Sequence, residues 1–573
     1  MVDLSSDKSW YKKKSFALLA FCCVTIVMLI TRYLSFYTFK GSDDLHYAFL
    51  SSKVLNGSFD MFVAQDIYAG RAAVVFYQAL WFKLFGINDL TMCLPSLSVL
   101  VILAYVVCFK TGLQKNVYTI LLASSLVYFN PVVTRTTLGN LPDVYIALIA
   151  LLVFLFIKKS IGSSSTKRNT IWGCIAALLL LAGLFVKETI VLIYAGSAVA
   201  LFFYRKKISR SFVIALVTTT VIGAVSYLFF YYIHTGDFFY RLVQIKNAAY
   251  FNECSYQCLS TATLLKRLTV TIPLTAALTG AYPLLFLITV LFTGRNTNSG
   301  SRFWKIIFIS LLLLALYFPF SVSPYVPLCH DMRQFFFLFP FAAILFVNCL
   351  QETISNENFT RAVSITGSIV FALVTATCFF YAPYNKWAIL CNGLLTLVFV
   401  VNIFSNKKLQ QLFIYLAMPF ILWLSTAYAV YKKPHDGYHE LKAMQQKLKD
   451  EIHISNTYYF LNNDTKAHFE LINQFDTTKQ FLNFDTLQKG FKPFTAYQKP
   501  GALNHIREGW LIVSDAYLEN INAATIDPVK QLLEGRYHAV TINKTTAYYL
   551  VTEETPEKII HMINSNSAGG NCY

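Results

Sequence analysis

Two adjacent carboxylates are the residues most able to do chemistry in this otherwise apolar chain. Asp43 and Asp44 point in different directions because they are neighbours, so they can serve two roles. A carboxylate can act as a general base toward a hydroxyl, or accept hydrogen bonds from a polar ligand. The pair could instead stabilise the start of a helix predicted over 45–55. The local sequence leaves both interpretations open.

Asp143 and Arg135 share a short link between two predicted membrane helices. Asp143 follows Pro142, a pattern typical of the first turn of a helix. The alternative is a substrate-binding role for Asp143, with Arg135 available in the same link to bind an anion.

Two further basic side chains each have an acidic neighbour. Arg333 could clamp a phosphate through two hydrogen bonds, or pair with Asp331. Lys187 could neutralise an anion, or form an ion pair with Glu188 beside it.

The composition indicates what kind of scaffold positions these residues. Of the 573 residues, 56% are hydrophobic and 14% are charged, and the mean hydropathy is +0.50. A soluble domain usually carries about 25% charged residues. The sequence therefore predicts a polytopic α-helical membrane protein.

About thirteen apolar runs are predicted to cross the membrane. A helix needs roughly 20 residues to cross about 30 Å of hydrocarbon, so the shorter runs must extend into their flanks. The runs are 15–34, 93–109, 117–131, 141–158, 170–185, 189–204, 210–233, 268–292, 303–320, 334–350, 362–381, 386–404 and 410–430.

The distribution of Lys and Arg predicts which side each link faces. The segment 71–86 is apolar, but Trp81 and Lys83 interrupt it, so we expect it to lie on the outer surface. Most basic residues then fall in the inner links, as the positive-inside rule prefers. The N-terminus is predicted inside and the C-terminal region outside. The residues that fall together on the outer side are Asp43, Asp143, Lys187 and Arg333.

Three regions stand apart from the predicted spans. The first outer loop, 35–92, contains amphipathic helices predicted over 45–55 and 72–84, lying along the membrane face. A second outer loop covers 234–267. Residues 432–573 have the composition of a soluble region, and we expect a small α/β domain there.

The cysteines and the net charge limit the possible functions. The twelve Cys are mostly single residues inside spans, typical of small buried side chains. Cys254 and Cys258 lie in the second outer loop, where a local disulfide is one expectation. The net charge of +18 comes from links between spans, so no nucleic-acid partner is expected. No nucleotide-binding motif is present, which leaves an ATP-driven pump without support.

Several short motifs carry a resemblance to a known family. They are Gly41-Ser-Asp43-Asp44-Leu-His-Tyr47, Phe85-Gly86 with Leu94-Pro95-Ser96, Pro131…Arg135…Asp143, Gly183-Leu-Phe-Val-Lys187 and Arg333-Gln-Phe…Pro340. Together with the span count, the helical first outer loop and the outer C-terminal region, they resemble the GT-C superfamily of membrane glycosyltransferases. The nearest branch holds the protein O-mannosyltransferases and the lipid A aminoarabinose transferases.

The motifs depart from this family at two places. Asp44 stands where the family's Asp-Glu-x-x-Tyr element usually has Glu. Arg71-Ala-Ala-Val-Val-Phe76 replaces an expected His-Pro-Pro motif, which argues against protein O-mannosylation.

The resemblance implies an inverting transfer of a monosaccharide from a polyprenyl-phosphate donor to a lipid, glycan or protein acceptor. It implies that Asp43 is the catalytic base and that Arg333, together with Lys187, neutralises the departing phosphate. The other residues expected to bind substrate are Asp44, Asp143, Arg135, Tyr47 and Arg71. No cofactor or metal is implied. We expect a monomer in a bacterial inner membrane, with its site facing the periplasm.

Two other classes of function remain as alternatives. A transporter of lipid-linked sugars would share the spans, but it would hold its polar residues near the middle of the membrane. A non-catalytic assembly factor would not need the carboxylate of Asp43.

Overall fold

The computed structural model describes most of the chain, in segments separated by gaps. The described residues are 14–34, 42–64, 66–113, 116–247, 261–266, 270–291, 299–319, 321–322, 325–326, 328–329, 331–354, 357–382, 386–405, 409–410, 413–431, 438–451, 455–460, 463–483, 509–514, 531, 537–542 and 545–550. The disulfide expected between Cys254 and Cys258 lies outside them.

Helices make up nearly all of the described chain up to residue 431. They are α1 Lys14–Leu34, α2 Ser42–Leu55, α3 Ala72–Phe85, α4 Asp89–Lys110, α5 Val117–Tyr128, α6 Pro131–Thr137, α7 Asp143–Ser160, α8 Thr166–Leu184, α9 Ile190–Tyr204, α10 Arg210–Thr235, α11 Tyr240–Asn247, α12 Thr261–Lys266, α13 Ile272–Thr279, α14 Tyr282–Leu291, α15 Ser299–Tyr317, α16 Phe339–Ile354, α17 Glu357–Tyr381, α18 Lys386–Phe404 and α19 Met418–Tyr431.

The protein is an integral membrane protein. Among the described residues, seven helices are long and apolar enough to cross a membrane, or nine spans if each of two bent pairs counts as one. Each predicted run contains a helix within its described residues, and the number of thirteen crossings stays a prediction.

Two of the predicted runs meet a sharp bend that the sequence did not predict. The run 268–292 forms α13 and α14, with a bend of 113° between them. Gly280 ends α13 at φ +68°, a left-handed conformation that glycine adopts without strain. The run 117–131 ends at a bend of 60° between α5 and α6. Asn130 starts α6 by accepting a hydrogen bond from the Val132 amide.

Two other predicted spans begin with a tighter or wider helix than expected. A 3₁₀ helix, Met332–Leu338, leads into α16, and a π-helix, Phe413–Ala417, leads into α19. Short 3₁₀ segments are common at helix ends. The Asp331 side chain starts the 3₁₀ helix by accepting the Arg333 amide at 3.0 Å. This helix packs against α6 and α7.

The helices predicted in the first outer loop are present as α2 and α3, which pack against each other. The Ser51 hydroxyl in α2 donates to the Val75 carbonyl in α3 at 2.9 Å. Between α3 and the end of α8, the Ala73 amide donates to the Phe185 carbonyl at 3.1 Å. Groups left unpaired at two helix ends thereby satisfy each other.

A small mixed sheet lies in the C-terminal part. Its strands are β3 Thr457–Phe460, β4 Gln480–Asn483, β5 Gly509–Ser514, β6 Ala539–Ile542 and β7 Thr545–Leu550, in the order β4-β3-β5-β7-β6. β3 is parallel to β4 and β5, and the other neighbours are antiparallel. A separate pair joins β1 Ser321–Val322 to β2 Tyr325–Val326. That residues 432–573 form a domain of their own stays a prediction.

The C-terminal part contacts the helix that carries Asp43. Two helices, α20 Tyr438–Lys449 and α21 Asn463–Ile472, pack beside the sheet, and α21 also packs against α2. The ring of Phe475 lies 5.9 Å from that of Phe49 in α2. The Tyr438 hydroxyl donates to Asp89 of α4 at 2.5 Å. The C-terminal part therefore contacts both α2 and α4.

We predict that Gly139→Ala destabilises the protein. Gly139 lies between α6 and α7, and a Cβ there would be 2.3 Å from Oδ2 of Asp44. Overpacking of this kind typically costs about 1–3 kcal/mol. Thermal unfolding of the purified protein in detergent should show a lower midpoint.

The matched control is Gly393→Ala in α18, where an added Cβ meets no atom within 4 Å. Alanine favours a helix over glycine by roughly 0.5–1 kcal/mol, so this variant should unfold at the same or a higher temperature. Equal unfolding temperatures for Gly139→Ala and the parent protein would contradict the close approach of α2.

Candidate active site

Asp43 lies in the first turn of α2, with a hydrogen-bonding partner on each carboxylate oxygen. The Tyr68 hydroxyl donates to Oδ1 at 2.7 Å. A guanidinium nitrogen of Arg333 lies 3.1 Å from Oδ2. The Asp43 side chain is 25% exposed and that of Arg333 is 35% exposed, so solvent reaches this pair.

The surroundings keep the Asp43 carboxylate charged at neutral pH. Burial raises its pKa, but Arg333, the hydrogen bond from Tyr68, and the nearby charges of Arg71 and Lys187 outweigh burial. The net effect is a pKa below the ordinary value. The group is therefore ready to accept a proton, and its basicity depends on how strongly Arg333 holds it.

Asp44 points away from Asp43, as expected for adjacent residues. It is buried against Gly139, in the turn between α6 and α7. Its Oδ1 also lies 3.0 Å from the Leu45 amide nitrogen. Asp44 thus fixes the start of α2 against the turn that precedes Asp143.

Arg333 contacts a second carboxylate, because its Nε lies 2.9 Å from Oδ2 of Asp331. From the sequence, Arg333 could pair with Asp331 or clamp a phosphate, and the structure adds Asp43 as a further partner. Arg135 in α6 is exposed and faces the charge of Asp331. It makes no ion pair with any described residue. Just upstream, Cys329 is disulfide-bonded.

Lys187 and Asp143 form a buried ion pair, in which Nζ of Lys187 lies 2.6 Å from Oδ1 of Asp143. Their side chains are 6% and 5% exposed. Asp143 lies in the first turn of α7 behind Pro142, as predicted. The suggested pairing of Lys187 with Glu188 was wrong, because the chain turns between α8 and α9 and directs the two side chains apart.

Glu188 instead binds two arginines. Its Oε2 accepts a hydrogen bond from Arg71 at 2.8 Å, and its Oε1 contacts Arg241 of α11. Burial raises the pKa of Glu188, but the two guanidinium groups outweigh burial and lower it to about 2. Arg71 also donates to the hydroxyl of Tyr47 at 2.7 Å. Both Arg71 and Tyr47 are buried in this network.

The charges divide into an open edge and a closed interior. The open edge consists of Asp43, Arg333, Asp331 and Arg135. The closed interior consists of Lys187 with Asp143, and Glu188 with Arg71 and Arg241. A ligand from solvent or the membrane surface can meet the open edge without breaking a buried ion pair. The edge offers a base and two guanidinium groups, which suit a hydroxyl and a phosphate.

Sequence reasoning missed Tyr68, Arg241 and the anchoring role of Glu188. Tyr68 is one of many aromatic residues in the chain, so its type carries no signal. Arg241 lies in the second outer loop, far from Glu188 in the sequence. No local pattern therefore pairs the two residues. In the described part of the chain, no group of three or more His, Cys, Asp or Glu side chains is placed to hold a metal ion.

Solved structures provide the comparison that identifies the fold. The crystal structure of ArnT from Cupriavidus metallidurans bound to undecaprenyl phosphate is 12% identical, with a TM-score of 0.56, and the match covers 93% of this chain and 98% of ArnT. The apo structure of ArnT is 14% identical, with a TM-score of 0.53 and coverages of 92% and 97%. This chain has the GT-C fold.

The GT-C fold predicted from the sequence motifs is therefore confirmed, and the resemblance spans nearly the whole chain. No protein-family model matches the sequence, and no curated protein matches it. At these identities the fold is shared while individual side chains must be assigned from their own contacts.

We predict that Glu188→Gln lowers stability much more than loss of a surface pair. The substitution keeps the shape of the side chain but leaves two buried guanidinium groups without a counter-charge. Breaking a buried ion pair typically costs about 3–5 kcal/mol. Thermal unfolding in detergent measures the effect. In the parent protein, the stabilisation should be full above the ordinary carboxyl pKa of 4.5 and be lost as pH falls through about 2.

Lys442→Gln is the control, since it removes the pair with Asp89 in which the Lys442 side chain is 56% exposed. Surface pairs contribute about 0–1 kcal/mol, so this variant should unfold close to the parent temperature. Similar small shifts for both variants would show that Glu188 does not anchor the interior.

Proposed function

We propose that the protein is an inverting glycosyltransferase that moves a monosaccharide from a polyprenyl-phosphate donor to an acceptor hydroxyl. The observation that carries this proposal is the solvent-reachable pair of Asp43 and Arg333, on a GT-C fold. The pair combines a proton acceptor with a phosphate-binding cation. Both lie where apolar helices end and a lipid-borne phosphate can reach them.

The transfer needs one displacement at the anomeric carbon. Asp43 takes the proton of the acceptor hydroxyl as its oxygen attacks that carbon. The new carbon–oxygen bond forms as the bond to the phosphate oxygen breaks, and its electron pair leaves with the polyprenyl phosphate. A single displacement from the opposite face inverts the configuration. The lipid carries the activated sugar, so no nucleotide site is required.

Arg333 and Arg135 are suited to neutralise the phosphate. Negative charge grows on the departing phosphate, and guanidinium groups aimed at developing charge are often the largest catalytic contribution. Arg135 is exposed and lies near the charge of Asp331, and binding an anion there breaks no ion pair among the described residues. Arg333 must share its charge between Asp43 and the phosphate. As it turns to the phosphate, it leaves Asp43 more basic.

The buried cations have a different part in this scheme. Lys187 and Arg71 are each closed behind a carboxylate partner, so they act through the local field and by holding the loops in place. Asp143, Asp44 and Tyr47 likewise position the edge that meets the substrate.

The proposed reaction includes a donor lipid, a side of the membrane and an acceptor. ArnT was crystallised with undecaprenyl phosphate, which supports a polyprenyl lipid as the donor's carrier. The basic links favour a site on the outer face of the membrane. The compact loops favour a bacterial inner membrane. The protein acts as a monomer on a lipid, glycan or protein acceptor. Residues 432–573 form an outer domain that binds this acceptor. The contact of α21 with α2 supports a link between that region and Asp43.

We predict that Asp43→Asn abolishes sugar transfer without loss of folded protein. Asparagine keeps the size of the side chain but cannot accept the proton. The measurement is mass spectrometry of surface glycans and polyprenyl-phosphate sugars in the source strain, with the gene deleted and then restored. The parent protein should return the missing sugar and Asp43→Asn should not, so the lipid-linked donor should accumulate with Asp43→Asn.

Asp60→Asn is the matched control, because Asp60 is an exposed carboxylate in the same outer loop. It should restore transfer fully. Full transfer by Asp43→Asn would remove the general-base role and favour transport or assembly.

A further inference from the structure

We propose that Tyr68 is a positioning residue for Asp43, and that the buried Arg71–Glu188–Arg241 network holds Tyr68 in place. This inference rests on the proposed role of Asp43 as the base. It adds a residue that no sequence motif indicated, and it explains why a costly cluster of buried charges lies behind the open edge.

Tyr68 controls one oxygen of the Asp43 carboxylate. Its hydroxyl donates to Oδ1 at 2.7 Å, while Arg333 is next to Oδ2 at 3.1 Å. When Arg333 turns toward a phosphate, the hydrogen bond to Oδ1 remains. The carboxylate then keeps its orientation, and Oδ2 is open to the acceptor proton.

The backbone of Tyr68 is fixed by Asp66. The Oδ1 atom of Asp66 accepts the Tyr68 amide at 2.9 Å and the Ala69 amide at 3.2 Å. The other oxygen of Asp66 lies 2.8 Å from Nε2 of His46, in α2. The turn that carries Tyr68 is thus tied to the helix that carries Asp43.

The ring of Tyr68 is enclosed by three side chains. The rings of His46 and Tyr47 meet it edge-on, at centroid distances of 5.0 and 5.3 Å. The guanidinium carbon of Arg71 lies 5.2 Å from the ring centroid. Because these groups surround the ring, rotation of Tyr68 away from Asp43 requires several of them to move together.

Glu188 and Arg241 hold this enclosure together. Glu188 binds Arg71 at 2.8 Å and also contacts Arg241. Arg241 donates to the carbonyl of Ile67, the residue before Tyr68, at 3.0 Å. At Gly70 an added Cβ would be 2.0 Å from the Arg241 guanidinium, so the chain passes directly over it. The network therefore supports Tyr68 from the ring side and from the backbone side.

The experiment compares Tyr68→Phe with Tyr77→Phe. Tyr77 donates to or accepts from Ser98 at 2.9 Å, outside the site, so it controls for loss of a tyrosine hydroxyl. Purified full-length protein is added to membranes of the deletion strain, which contain the accumulated donor and the unmodified acceptor. Sugar transfer is followed by mass spectrometry across a range of pH.

The expected result has two parts. Loss of a hydrogen bond to a charged group should lower kcat by roughly tenfold to a hundredfold, with little change in KM. The Tyr68 hydroxyl lowers the pKa of Asp43, so its removal should move the acidic limb of the pH profile to higher pH. A purely structural role would lower activity without moving that limb. Tyr77→Phe should match the parent in both respects.

A second variant tests the same point if Tyr68→Phe folds poorly. Tyr68→3-fluorotyrosine keeps the ring and makes the hydroxyl a stronger donor, so the acidic limb should move to lower pH. An unmoved limb in the folded variant overturns the positioning role. Asp43→Asn is assayed beside it. Transfer by Asp43→Asn defeats the proposed function itself, whereas an inactive Asp43→Asn with an unmoved limb in the Tyr68 variant defeats only this inference.

Discussion

A carboxylate stays charged in an apolar scaffold only if a cation or several donors lie beside it, and Arg333 supplies that cation to Asp43. The contact joins the start of α2 to the 3₁₀ helix before α16, two segments nearly three hundred residues apart in the sequence. Asp331 starts the 3₁₀ helix and holds Arg333 at the same time, so the local helix geometry and the site electrostatics have one origin.

The carboxylates of Asp143 and Glu188 also need a cation beside them, but their ion pairs are buried. Lys187 with Asp143, and Glu188 with its two arginines, are closed from solvent, and each carboxylate there has its own cation. Such pairs cost desolvation energy and add little net stability over apolar packing. Their value lies in fixing geometry, since they tie four links between helices to one another. The open edge can then present Asp43 with few degrees of freedom.

The sequence predicted the residues of the site better than their pairing. Charges are costly in a membrane chain, so Asp43, Asp143, Lys187 and Arg333 each required a reason, and sidedness placed them together. Pairing depends on how the helices pack, which no local pattern reveals, and Glu188 was wrongly assigned to its neighbour Lys187. Gly280 marks the bend between α13 and α14, and Asn130 before Pro131 marks the bend between α5 and α6. Both residues lie within apolar runs, and these runs were therefore predicted as continuous helices. In the C-terminal part, the short strand Gln480–Asn483 has too little pattern of its own to predict.

One measurement tests most directly whether Arg333 is shared between Asp43 and a phosphate. It is the affinity of purified protein for undecaprenyl phosphate, by native mass spectrometry, for the parent and for Asp43→Asn. The account predicts tighter binding to Asp43→Asn, because Arg333 is released and a nearby negative charge is removed. The same substitution then has opposite effects on binding and on transfer. Unchanged or weaker binding to a folded Asp43→Asn protein would contradict the account, because Arg333 would not be the phosphate's partner.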